Sequence, residues 1–173
     1  TDMLSVDENN MFIRKTNLVL CSRQQGKTHL ARMLILAHLF LWDSKMVIGM
    51  SSNRNMALDT FRQVANAIMD NDFLKDQVKQ IRYANGQESI TTLKGNRYQI
   101  VAATRDGSRG LTANFLFIDE LREISEEGWK AARPTTRATG GQTLVCSNAG
   151  DAYSVVLNDL RECALSYPSQ QTH

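Results

Sequence analysis

The feature that most restricts how this chain can fold is the run Asn17-Leu18-Val19-Leu20-Cys21-Ser22-Arg23-Gln24-Gln25-Gly26-Lys27-Thr28, in which an apolar stretch breaks into a polar loop and closes on Gly-Lys-Thr. Leu18 to Leu20 suit a buried strand. After Thr28 the apolar residues Leu30, Met33, Leu34, Ala37 and Leu41 recur at helical spacing and predict one apolar stripe that lies on a sheet. A strand, a tight loop and a helix in that order turn backbone N–H groups toward the loop centre and aim the positive end of the helix dipole at it. Gly26, Lys27 and Thr28 are in register with the end of the pattern G-x-x-x-x-G-K-[ST], so the loop is a candidate phosphate cradle. Cys21 stands where that pattern has its first Gly, which leaves an ordinary strand-to-helix turn as the competing reading.

The rest of the chain supplies the sheet that such a loop needs. Lys45 to Met50 is a short apolar run followed by the cap candidates Ser51-Ser52-Asn53, and a second helix over about 53–69 buries Ala57, Phe61, Val64, Ala65 and Ile68. Strand, helix, strand, helix argues for a parallel sheet with right-handed crossovers. Ser89 to Leu93 and Tyr98 to Ala103 flank Lys94-Gly95-Asn96-Arg97 and predict a hairpin. The loop 104–110 carries two glycines and two arginines, Arg105 and Arg109, and leads into Asn114-Phe115-Leu116-Phe117-Ile118-Asp119-Glu120. That run is a fully buried strand with two adjacent carboxylates at its carboxyl end, where open α/β sheets bind ligands. A helix from about Ser125 should stop near Arg133-Pro134, because Pro disfavours helix in the residue before it. Thr143 to Ser147 is a fifth strand-like run, Asn148 to Asp151 a turn, and Val155 to Leu165 a closing helix. The expected organisation is one domain: an N-terminal extension (1–16) without a motif, a motif-bearing core (17–150), and a closing helix and tail (151–173).

Composition narrows the class without naming a partner. A chain of 173 residues with 42% hydrophobic and 22% charged content reads as a soluble globular domain, and a net charge of +2 neither demands nor excludes nucleic acid. Cys21, Cys146 and Cys163 are odd in number and lack metal-ligand spacing, which points to a reduced, cytoplasmic setting. The longest apolar stretch, Met33 to Trp42, is interrupted by His38 and is too short for a bilayer, so no membrane is expected. His29, His38 and His173 cluster with neither acids nor cysteines, which argues against zinc or histidine catalysis.

Phosphoryl transfer to water needs a charge clamp, a divalent ion, a group that orients water, and positive charge for the transition state. Lys27 is the candidate clamp, Thr28 and Asp119 the candidate Mg²⁺ ligands, and Glu120, which points differently from its neighbour, the candidate that polarises water. Ser147 and Asn148 close the fifth strand-like run either as sensors of a γ-phosphate or as a plain polar turn. Arg23 in the cradle and Arg109 in the glycine loop are both candidates for stabilising developing charge. Arg54, Arg62 and Lys94 are either contacts to DNA phosphates or a solvated face.

Taken together, Ser22 to Thr28, then Arg109-Gly110-Leu111-Thr112-Ala113-Asn114 running into Phe117-Ile118-Asp119-Glu120, then Ser147-Asn148-Ala149-Gly150, resemble the ATPase domain of the large terminase subunit of tailed double-stranded DNA bacteriophages over roughly 17–150. That family uses a deviant Ser-Arg-Gln-x-Gly-Lys-Thr cradle, which accounts for Cys21. The resemblance implies an α/β, RecA-like (ASCE) P-loop NTPase with a mostly parallel sheet flanked by helices and a β-hairpin insertion. It implies ATP as substrate and Mg²⁺ as cofactor, in a motor that drives double-stranded DNA into a procapsid as a homo-oligomeric ring. Its partners would be the portal and the small terminase subunit, in the host cytoplasm.

By the same resemblance, Ser22, Arg23, Gln24, Gln25 and Gly26 form the cradle around the phosphates, with Lys27 and Thr28 as phosphate and Mg²⁺ residues. Asp119 is the Mg²⁺-associated acid, Glu120 the catalytic carboxylate, and Ser147-Asn148 the motif coupling hydrolysis to motion. Arg23 is a cis contact to the γ-phosphate and Arg109 a finger offered to a neighbouring subunit. Nothing after Gly150 is long enough for the nuclease domain of the family, so no DNA cleavage is expected. Two alternatives stay open. A helicase-like translocase would need a second RecA-like domain, and Asp119-Glu120-Leu121-Arg122 lacks the usual helicase ending. A ring-assembly module would bind ATP without turning it over.

Overall fold

A computed structural model describes residues 2–84, 86–103 and 110–166. The chain runs β1 (Thr16–Leu20), α1 (Lys27–Phe40), β2 (Met46–Ser51), α2 (Arg54–Met69), a single turn α3 (Asp72–Lys75), β3 (Val78–Arg82), β4 (Ser89–Thr92), β5 (Arg97–Ala102), β6 (Phe115–Asp119), α4 (Glu126–Ala132), β7 (Gln142–Ser147) and α5 (Val155–Ser166). Short 3-10 turns cover Leu121–Glu123 and Arg133–Thr136, the second holding Pro134 just past the end of α4.

The seven strands form one sheet in the order β1-β7-β6-β2-β5-β4-β3. β1, β7, β6, β2 and β5 pair in parallel, and β4 and β3 extend the sheet antiparallel. Helices cover both faces, which is why β6 is apolar without a break. Phe115 and Phe117 join the cluster with Ala31, Ile35, Phe61 and Val64 from α1 and α2, while Leu116 and Ile118 join Ala132, Val156 and Leu157 from α4 and α5. Burial of β6 on both sides holds the strand end that carries the two acids, and truncating one of its Phe side chains costs about 3–5 kcal/mol.

The predicted hairpin is present, with Ile90 opposite Tyr98, and its second strand is also the β5 that pairs with β2. β3 carries no sequence signal because a bulge between Val78 and Gln80 breaks the alternation that marks a strand. The face of α1 also differs from the predicted stripe. Ala31, Leu34, Ile35, His38 and Leu39 are buried, whereas Met33 and Leu41 are 52% and 76% exposed. From Leu30 to Leu41 the helix is apolar on most sides, so periodicity leaves the buried face open and packing on the sheet selects one rotated from it. His38 belongs to that core. Its ring stacks on Phe115 with centroids 4.2 Å apart, Nδ1 lies 2.8 Å from Ser44 Oγ, and burial pushes the imidazole down to about 4. Among the described residues no helix is long and apolar enough to cross a membrane.

Candidate active site

Strand order assembles the site. β7 lies between β1 and β6, with Leu20 opposite Ser147 and Ile118 opposite Val145, so the carboxyl ends of all three strands stand side by side. The ladder continues one step past β1, where Cys21 N–H donates to the Ser147 carbonyl at 3.3 Å. Residues far apart in sequence, Ser22 to Thr28, Asp119-Glu120 and Ser147-Asn148, therefore meet at one end of the sheet.

The loop after β1 is exposed from Ser22 to Gly26 and is shaped by backbone. Gln24 has φ 60° and Gly26 φ 85°, both in the left-handed region, and only at Gly26 does the residue type remove the steric cost. Gly26 is also the N-cap of α1 and offers no side-chain hydrogen bond, and no acid lies in the first turn. The opening N–H groups of the helix and its positive end are thus left to an outside acceptor. The Lys27 ammonium folds back over the loop, donating to the Cys21 carbonyl at 3.2 Å, the Ser22 carbonyl at 3.0 Å and Asn148 Oδ1.

The acids differ in character. Asp119 and Glu120 are each only 8% exposed. Asp119 Oδ1 accepts the Glu120 N–H at 3.0 Å; its pKa is raised, chiefly because burial penalises the charge, with the neighbouring Glu120 adding to the rise and Lys27 and the hydrogen bond opposing it. Glu120 leaves the strand at φ 51°, ψ 54°, a left-handed conformation that costs a side-chain-bearing residue on the order of 1 kcal/mol and re-aims its carboxylate. One oxygen, Oε1, accepts from Asn148 Nδ2 at 3.1 Å, and the other, Oε2, from Arg122 Nε at 3.1 Å. A single network thereby links Lys27, Asn148, Glu120 and Arg122. Ser147 is fully buried, and its Oγ accepts the Arg122 backbone N–H at 3.2 Å, tying the turn after β6 to the end of β7.

The sequence-predicted residues thus converge, with two qualifications. Arg23 sits on the exposed face of the cradle, and Arg109 lies outside the described residues. Arg122 was not singled out from the sequence; the turn after Glu120 brings its side chain back onto that carboxylate. Arg54, Arg62 and Lys94 each pair with a carboxylate of the chain itself, at 2.5 Å to Glu88, 3.6 Å to Asp59 and 2.9 Å to Asp43. Among the described residues no group of three or more His, Cys, Asp or Glu side chains could hold a metal. Mg²⁺ keeps several waters and commonly takes one or two protein oxygens together with substrate phosphates. A buried carboxylate whose charge is penalised, with the Thr28 hydroxyl carried at the start of α1, fits such an ion.

A parallel core in which β7 stands between β1 and β6, with helices on both faces, is a RecA-like α/β fold. More narrowly, it is the fold of the ATPase domains of phage large terminases. The chain superposes on the HK97 bacteriophage large terminase with a TM-score of 0.78 at 18% identity, covering 91% of this chain and 34% of that one. On the large terminase ATPase domain of Thermus phage P74-26 the TM-score is 0.68 at 20% identity, over 82% of this chain and 63% of that one. On the large terminase of a further thermophilic bacteriophage, in complex with ADP, it is 0.64 at 17% identity, over 86% of this chain and 38% of that one. The chain thus spans about a third of the length of the HK97 protein. No family model matches the sequence, and no protein of curated function matches it.

Proposed function

We propose that the chain is the ATPase domain of a phage large terminase, hydrolysing ATP with Mg²⁺ to drive double-stranded DNA into a procapsid. The observation that carries this reading is the uncapped start of α1, whose Lys27 is joined through Asn148 to a buried Glu120 held on both oxygens. It stands on a fold shared with large terminases, one of them solved with ADP and with ATP-γ-S.

In this reading Lys27 exchanges its two loop carbonyls and Asn148 for the β- and γ-phosphates, and the free amides of α1 and of the Ser22–Gly26 loop receive the remaining phosphate oxygens. Thr28 and Asp119 would hold Mg²⁺, which would supply neutralising charge to the phosphates. Departure of Lys27 frees Asn148 Oδ1, so Ser147-Asn148 sense the γ-phosphate directly beside Glu120. The carboxylate of Glu120 then orients the attacking water and receives its proton. Arg23 meets the γ-phosphate in cis, and Arg109 is supplied to the next subunit of a homo-oligomeric ring. The ring acts on double-stranded DNA at the portal, with the small terminase subunit, in the host cytoplasm.

Steady-state phosphate release, measured with and without double-stranded DNA and across protein concentration, tests the reading. Turnover that rises with concentration and is reduced about 10²–10⁴-fold by Glu120→Gln, with nucleotide binding retained, is the expected outcome. A Glu120→Gln protein that hydrolyses ATP at the parent rate overturns it. Concentration-independent turnover that is indifferent to Arg109→Ala removes the finger.

A further inference from the structure

The phosphate chemistry proposed for the site assigns no step to Arg122, yet its Nε holds one oxygen, Oε2, of the Glu120 carboxylate. Its Nε stands 3.1 Å from Glu120 Oε2 and 3.3 Å from Glu123 Oε1, with the Arg122 side chain 28% exposed and the Glu120 side chain 10%. A charge-assisted contact of this length to a largely desolvated carboxylate is among the stronger polar interactions in a protein. It is also anchored. The Arg122 backbone N–H donates to Ser147 Oγ, and the preceding Leu121 is fully buried against the cluster containing Val156 and Leu157 of α5. Arg122 is therefore anchored by β7 and by the helix layer beneath the turn.

The two partners of Glu120 are not equivalent. Asn148 is bound at its other end to Lys27, the group that a phosphate would draw away, whereas among the described residues the Arg122 side chain makes no hydrogen bond to the loop. Once Lys27 moves, Oε1 loses a fixed partner and Oε2 keeps one. We propose that Arg122 is a positioning residue for Glu120, gripping Oε2 so that the carboxylate keeps its left-handed, strand-end pose and presents Oε1 to water when Asn148 is released. Glu123, 58% exposed on its side chain, shares the guanidinium through the same Nε.

This inference rests on the reading of Glu120 as the group that polarises water, and the experiment separates the two. Phosphate release and affinity for a fluorescent ATP analogue are measured for the parent chain, Glu120→Gln, Arg122→Ala, Arg122→Lys and the Glu120→Gln/Arg122→Ala double variant, at protein concentrations that let copies meet. Arg122→Ala should lower kcat at least about tenfold while KM and analogue affinity stay within about twofold, because a general base loses its effect when its orientation is lost. Arg122→Lys should recover part of kcat. In the Glu120→Gln background Arg122→Ala should cause no further loss, as residues acting as one unit are not additive. Should Arg122→Ala fail to fold, Arg122→Gln, which keeps length and removes charge, carries the same expectation. Parental kcat in Arg122→Ala with Glu120→Gln inactive overturns the role of Arg122 alone, as does a rise in kcat, which would make the pair a restraint. Parental turnover in Glu120→Gln overturns the site reading and this inference with it.

Discussion

The helices α1 and α4 follow β1 and β6, two of the three strands whose ends meet at the candidate site, and they begin in opposite ways. α4 opens on Ser125, whose hydroxyl accepts the Gly128 N–H at 3.2 Å, and places Glu126 and Glu127 in its first turn. α1 opens on Gly26, with no side-chain cap, no acid in the first turn, and Lys27 and Thr28 instead. At α4 the chain neutralises its own helix dipole and satisfies its own amides. At α1 it withholds both, so stability is given up where a ligand can restore it. α2 and α3 follow the α4 pattern, capped by Asn53 and Asn71. The bare start of α1 thus contrasts with α2, α3 and α4, each of which carries a side-chain cap.

The comparison can be sharpened by mutation, taking the strongest expected effect first. Asp119→Asn removes the buried charge that the uncapped helix faces. Turnover should fall at least about a hundredfold, as when a preorganised charge is lost from a site. Thermal stability at neutral pH should nevertheless rise by about 3 °C, because desolvation of the ionised carboxyl is relieved. The sign follows from the raised pKa of Asp119: the folded state binds this proton more tightly than the unfolded state, so the group favours folding at acid pH. That contribution is lost as pH rises through its folded pKa. Calorimetry of both proteins between pH 4 and 8 checks this, and a stabilisation that does not diminish toward acid pH contradicts it.

A smaller effect comes from making α1 resemble α4. His29→Glu puts a carboxylate in the first turn of α1 at an exposed position whose ring contacts only Arg32 among the described residues, at 2.7 Å. It should stabilise the helix by about 0.3–1 kcal/mol and weaken triphosphate binding about two- to fivefold, measured by fluorescence titration. The reverse change, Ser125→Ala, should cost about 1 kcal/mol in chemical denaturation and leave nucleotide affinity unchanged. An equal loss of affinity in Ser125→Ala would erase the distinction between the two helix starts.

What the sequence disclosed follows from where the constraints are local. Gly26-Lys27-Thr28 and the β6 run ending in Asp119-Glu120 were legible because a cradle is contiguous and a strand buried on both faces is apolar throughout. α2 was legible because Ala57, Phe61, Val64, Ala65 and Ile68 leave one unambiguous buried face. α1 was misread by a rotation, since its surplus of apolar side chains fits more than one face and only the sheet beneath selects Ala31, Ile35 and His38. β3 was invisible because its bulge moves Ile81 out of phase with Val78. Arg122 escaped for a different reason: its partnership with Glu120 depends on a residue with φ 51° and the turn after it, backbone features that no local residue pattern announces.

The most direct test of the central claim, that the start of α1 is left uncapped for a triphosphate, is equilibrium binding of a fluorescent ATP analogue with Mg²⁺ to the parent chain and to Lys27→Ala. Saturable binding by the parent, lost at least tenfold in Lys27→Ala while circular dichroism remains unchanged, is the predicted result. Equal affinity in the two proteins, or no binding by a folded parent chain, would contradict it.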